Sequence, residues 1–146
     1  MNKRFAGLLL MLGVFLTLAS GCGPTQKREP TTVEQAHLKV LGIMYGKFMS
    51  SSRGQAPKNE KELLAYLNAN RPSWEKIVGS AEELLISPFN KKPFVIFYGD
   101  QFSKHNTDGS LWMAHEQAGD GGQQRAINIR GDVELLDAQQ VQQMFP

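Results

Sequence analysis

An α+β domain is the fold this sequence predicts, on three observations. A capped run with apolar residues at helical spacing opens the globular part. β-Branched and aromatic runs separated by turn residues follow it. The two kinds of segment come in blocks, without the alternation that builds βαβ crossovers. The expected architecture is a long N-terminal helix packed on a small antiparallel sheet, with short extra helices.

The globular part is assigned to residues 31–146 because of what precedes it. Lys3 and Arg4 form a short positive region, and Phe5 to Leu18 then run without a charge. A membrane-spanning helix needs about 20 apolar residues, and this run is shorter and ends in small side chains. Its length and flanks are those of an export signal. Ala19-Ser20-Gly21 precede Cys22, which is the pattern of a bacterial lipobox. In that pattern the cysteine sulfur receives a diacylglycerol, and the cysteine becomes the new N-terminus. Many lipoboxes carry leucine where this chain has Ala19. Residues 1–21 are therefore read as a lipoprotein signal peptide and Cys22 as the lipid-attachment residue. Residues 22–30, polar and carrying Pro24 and Pro30, are read as a flexible tether. Two or three acyl chains on one cysteine anchor stably where a single chain does not. The chain is thus expected to be exported and held on a membrane by its lipid. Gly23 does not distinguish inner from outer membrane.

Composition narrows the chemistry. Cys22 is the only cysteine, which excludes an intramolecular disulfide and a cysteine metal cluster. The chain has 16 Lys+Arg against 14 Asp+Glu, and loss of Lys3 and Arg4 with the signal leaves 14 of each. The basicity belongs to the signal, so nucleic acid is not an expected partner.

Thr31 to Glu34 fit a capping box. Val33, Ala36, Val40, Leu41, Met44, Tyr45, Phe48 and Met49 then make one apolar helix face, with His37 and Lys47 off it. Gly42 and Gly46, four apart, let another element approach closely. The helix ends in Ser50–Gly54. Asn59 to Glu62 repeat the capping pattern ahead of Leu63, Leu64 and Leu67, a short second helix. Arg71-Pro72-Ser73-Trp74 break the chain, and one further turn is placed at Trp74–Val78.

Strands are expected at Phe94–Tyr98, after the turn Asn90–Pro93, and at Leu111–His115 and Ala126–Ile129. Gly119–Gly122 form the loop between the last two. Arg130-Gly131-Asp132 read as a tight turn into Val133–Leu136, closing a hairpin. Asp137 caps a last helix through Met144, with Val141, Met144 and Phe145 on its buried side.

Several of these residues resemble a known family. Leu38-Lys-Val-Leu-Gly-Ile-Met-Tyr45 is similar to the "leucine-lysine-x-leucine-glycine" helix segment of the pseudopilins of type II secretion and related prepilin-like proteins. Ser87-Pro-Phe-Asn-Lys-Lys-Pro-Phe-Val95 resembles their turn into the first strand. Met113–Glu116, Gly121-Gly122 and Ile127–Leu136 resemble their C-terminal block. The resemblance covers residues 38–146 through short motifs and implies the globular pseudopilin-like fold. Two departures stand out. A lipobox and a polar linker occupy the place of the prepilin cleavage motif and its polymerising helix. Arg130 and Asp132 replace the characteristic aspartate and histidine of the final turn.

No run of residues reads as an active site. His37, His105 and His115 are too far apart in sequence for a helical zinc pair, and no HExxH motif occurs. His115 and Glu116 alternate in a strand pattern, so one faces in and the other out. His105, Asp108 and Ser110 crowd a polar loop, yet triads are assembled from separated positions. An EF-hand loop beginning at Asn106 fails at Leu111 and Gln117, where glycine and glutamate are required. Some pseudopilins hold calcium in a loop of the sheet, and the resemblance makes Asp100 and Asp108 the candidate ligands of such a site. Phe89, Lys91, Lys92 and Phe94 are read as a turn entering a core strand rather than a nucleic-acid surface.

The functional expectation is a non-catalytic, lipid-anchored cell-envelope protein, with no cofactor beyond the acyl lipid on Cys22. Its partners would be the membrane, through the lipid, and other envelope proteins. A small-ligand or calcium-binding module on the same scaffold, or an exported enzyme with a site hidden from sequence, are the alternatives.

Overall fold

The computed structural model describes residues 32–106, 109–118 and 121–145. The signal, Cys22, the tether and Asp108 lie outside the described residues. Within them the domain is α+β, with helices and a four-stranded antiparallel sheet.

Helix α1 (Val33–Ser51) starts one residue later than the sequence pattern implied. Its N-cap is Thr32, whose hydroxyl accepts from the Gln35 N–H at 3.2 Å while Gln35 Oε1 accepts from the Thr32 N–H at 3.2 Å. Thr32–Gln35 satisfies the same capping chemistry as Thr31–Glu34. The buried face runs through Leu38, Leu41, Met44, Tyr45 and Phe48. His37, expected off that face, is buried on it. The physical reason is a neighbour that the sequence pattern did not reveal, helix α3 (Ala81–Leu84). His37 Nε2–H donates to the Leu84 carbonyl at 3.2 Å, and since a carbonyl only accepts, the neutral ring carries its proton on Nε2.

Helix α2 (Glu60–Ala69) is capped by Asn59, whose side chain accepts from the Glu62 N–H at 3.0 Å. A 3₁₀ turn at Arg71–Ser73 follows, led by Pro72. Trp74 is then buried with its indole N–H donating to the Leu67 carbonyl at 2.9 Å. That bond satisfies the one polar atom of the largest buried side chain.

The sheet is ordered β1 (Val95–Ile96), β2 (Trp112–His115), β3 (Gln123–Asn128) and β4 (Val133–Asp137). Only two residues of the expected Phe94–Tyr98 strand pair regularly. The Phe94 N–H leaves the sheet for the Leu85 carbonyl, while the Phe97 N–H makes one more bond to β2, at the Met113 carbonyl. Between β1 and β2 lies helix α4 (Asp100–His105), which sequence did not predict because Phe102 is its single apolar residue. Helix α5 (Ala138–Met144) has the expected cap, Asp137 with Gln140 closing the box.

The main core joins Leu38, Leu41 and Tyr45 to Leu63, Trp74, Met113 and Ile127. The Tyr45 hydroxyl donates to the Phe97 carbonyl, and its ring lies 5.6 Å from Phe102. A second cluster, Ala126, Leu136 and Val141, sits beneath α5.

Strands β3 and β4 close on a three-residue turn, Ile129-Arg130-Gly131. The Asn128 N–H donates to the Asp132 carbonyl at 3.1 Å, and the Gly131 N–H to the Asn128 carbonyl at 3.0 Å. Gly131 has φ +81°, the left-handed position such hairpins require. The Asn128 side-chain oxygen accepts from the Arg130 and Asp132 N–H groups at 2.9 and 3.0 Å, which fixes the Arg-Gly-Asp triplet as a turn. The turn sits against α1: a Cβ on Gly42 would stand 2.3 Å from the Asn128 carbonyl oxygen, and one on Gly46 2.3 Å from that of Ile129.

Candidate functional site

The end of the sheet next to the start of α1 gathers the polar side chains of greatest interest. Glu116 follows β2 directly and is 1 % exposed. A carboxylate there is costly unless each oxygen finds a donor. Both do. Oε1 accepts from the Ser87 hydroxyl, which is itself fully buried. Oε2 accepts from Arg125 twice, from the backbone N–H at 3.0 Å and from the guanidinium at 3.1 Å. The Ser87 hydroxyl oxygen also accepts from the Phe89 N–H at 3.1 Å, so the loop 87–93 is pinned to the sheet. The Arg125 guanidinium carbon lies 3.5 Å from the centre of the Phe89 ring, a cation–π contact. With Ser87 closed off from solvent and its proton committed to Glu116, the cluster works as a brace and presents no accessible nucleophile.

On the outer side of this brace is a groove of about 670 Å³. One wall is the first two turns of α1, from Thr32 to Lys39; the other is Val133 and Leu135 of β4, with Phe89 and Arg125 between them. Its apolar surface is well exposed: Leu135 by 49 % and Phe89 by 40 %, with Val33 nearby at 70 %. At the helix start, the Glu34 N–H and the Thr32 hydroxyl hold the Glu34 carboxyl below its usual range.

The sequence candidates fall elsewhere. Asp100 opens α4, exposed, in a separate hollow of about 340 Å³ that it shares with Arg53 and Lys58. Its intended companion Asp108 is outside the described residues, so the structure does not bring the pair together or apart. Among the described residues no three His, Cys, Asp or Glu side chains are grouped to hold a metal ion.

His105 and His115 do meet, around Phe145. The His115 ring stacks on Phe145 at 4.9 Å and 14°, and His105 meets it edge-on at 6.2 Å. Phe97 lies 4.3 Å from His105 on the same cluster. His115 Nδ1 is 2.8 Å from the Glu116 carbonyl oxygen, so that nitrogen carries a proton and donates. The two rings are thus packing partners of the C-terminal phenylalanine. Of the His115–Glu116 pair, Glu116 is the buried member and His115 is half-buried. No sequence signal separated them, since the partners of Glu116 lie 29 and 9 residues away. Among the described residues no helix is long and apolar enough to cross a membrane. Comparison with protein-family models, with curated proteins and with solved structures gives no match in any of the three.

Proposed function

We propose that the chain is an exported, lipid-anchored envelope protein whose domain acts without catalysis, by contacting other proteins at the membrane surface. In this reading Cys22 carries the lipid and residues 22–30 are the tether. The domain is taken as pseudopilin-like, with α1 in the place of the long helix packed on the sheet and with the polymerising segment replaced by the anchor.

The observation that carries the reading is where the groove lies. Thr32 is at once the N-cap of α1 and part of the groove wall. The exposed apolar side chains Phe89 and Leu135 are therefore at the end of the domain from which the chain runs back to Cys22. Ten extended residues reach roughly 35 Å, so an anchored domain would hold this surface close to the bilayer. The most polar cluster nearby, Ser87–Glu116–Arg125, is internally satisfied, which fits a surface made for contact better than one made for turnover.

Metabolic labelling with a radioactive fatty acid, in wild type and Cys22→Ala, tests the anchor. Wild type should be labelled and sediment with membranes, while Cys22→Ala should be unlabelled and released. Equal labelling, or a Cys22→Ala protein still bound to lipid, would overturn it. Cross-linking in intact membranes then tests the contact reading, which predicts discrete protein adducts from cross-linkers placed at Phe89 or Leu135.

A further inference from the structure

β4 is an edge strand, paired with β3 on one side and with nothing in the described residues on the other. Which of its backbone groups face outward follows from the turn. Asn128 and Asp132 form the hydrogen-bonded pair that closes the hairpin, and in an antiparallel ladder such pairs alternate with non-bonded ones. Ala126 with Glu134 and Gln124 with Leu136 are thus bonded, and Ile127 with Val133 and Arg125 with Leu135 are not. Arg125 agrees, since its carbonyl accepts from the Glu116 N–H on the β2 side. Val133 and Leu135 therefore turn their N–H and C=O groups away from the sheet, beside the groove. The Asp137 N–H, next in the series, is already held by Gln140.

The side chains say what kind of strand would fit. Val133 and Leu135 share the face toward the groove, while Glu134 points to the other face and is exposed. β4 and the residue before it carry Asp132, Glu134 and Asp137 and no basic side chain. Glu34 across the groove, by contrast, is already faced by Lys91, with Lys39 in the groove wall and Arg130 in the turn. Arg125, between the two walls, is occupied by Glu116 and Phe89. A second copy pairing antiparallel through β4 would set these acids against one another, which disfavours self-association.

We propose that the outer edge of β4, with the groove beside it, takes up an extended segment of a partner protein in which apolar and basic side chains alternate. Backbone bonds to Val133 and Leu135 supply the pairing. The apolar residues opposite these two lie in the groove, and the basic ones meet Glu134. The inference rests on the protein-contact reading above and names the chemistry of the contact.

The test uses the full lipidated chain in detergent micelles and, as probe, a capped peptide of alternating valine and lysine. Hydrogen exchange at the Val133 and Leu135 amides should slow roughly tenfold or more on binding, with Glu134 and Leu136, already bonded to β3, unchanged. Leu135→Pro removes an outward N–H without touching the β3 ladder and should abolish the protection, while Leu135→Thr keeps it. Glu134→Lys should weaken the lysine peptide and favour its glutamate counterpart, a readout that survives if the proline variant fails to fold. Unchanged exchange at Val133 and Leu135, or equal binding by Glu134→Lys, overturns the proposal. So does concentration-dependent protection without peptide, which would make a second copy the occupant. Loss of the fatty-acid label from wild type would sink the anchor reading and leave this result standing. Adducts at Phe89 or Leu135 without peptide protection would sink only the strand pairing.

Discussion

Glu116 holds Arg125 by two different groups at once, the backbone N–H at 3.0 Å and the guanidinium at 3.1 Å. The first bond fixes where β3 begins relative to β2, and the second lays the side chain across Phe89. Removing the carboxylate strands both donors and the Ser87 hydroxyl. Glu116→Ala should cost about 3–5 kcal/mol in denaturant unfolding, as for a broken buried ion pair. Glu116→Gln keeps an oxygen and a nitrogen in place and should cost less than half of that. Equal losses would show that shape, and not hydrogen bonding, is what Glu116 supplies.

Gly42→Ala makes a prediction of opposite sign to helix propensity. In an exposed helix the change gains about 1 kcal/mol. Here the new methyl would stand 2.3 Å from a backbone carbonyl oxygen, and backbone cannot swing aside as a long side chain can. The variant should lose roughly 1–3 kcal/mol or more, with Gly46→Ala alike. A higher melting temperature for either would place the turn away from α1.

His37 should make the fold sensitive to mild acid. Burial, the largest cause, pushes its pKa below the ordinary 6.5, outweighing the bond to Leu84. The unfolded chain therefore binds the proton first as pH falls below about 6.5, and stability drops in that window. Above it both states are neutral and the contribution is flat. Urea midpoints measured from pH 7.5 to 5 should fall more steeply for wild type than for His37→Leu. Parallel curves would remove His37 as the cause.

At the alkaline end Tyr45 and Tyr98 act. Burial raises both phenols well above their usual 10, so the folded domain resists their ionisation. Their stabilisation is complete below pH 10 and is lost as pH rises beyond it, because the unfolded chain ionises first. Ultraviolet titration should show two tyrosines ionising late and together with unfolding. Tyr45→Phe should leave one, and should cost about 1–3 kcal/mol for the unpaired Phe97 carbonyl.

The α+β class, α1, α2, α5 and the β3–β4 hairpin were legible because each announces itself locally, by a cap, a period or a turn residue. Helices α3 and α4 were not, since four and six residues with one or two buried side chains carry no readable period. His37 was misplaced for the same cause, its partner being the carbonyl end of α3. The brace at Glu116 was hidden differently. A glutamate at a strand end reads as surface until Ser87 and Arg125 arrive from other segments. The free edge of β4 is a property of strand order, which no single segment encodes.

The seating of Gly131 and its turn on α1 has a kinetic meaning for that edge. A hairpin end that rests on Gly42 and Gly46 cannot fray without lifting off the helix, so Val133 and Leu135 stay extended when nothing is bound. A partner segment would meet a finished template and would alone have to become ordered. Differences in affinity between such segments should therefore reside in how fast they leave, and hardly at all in how fast they arrive.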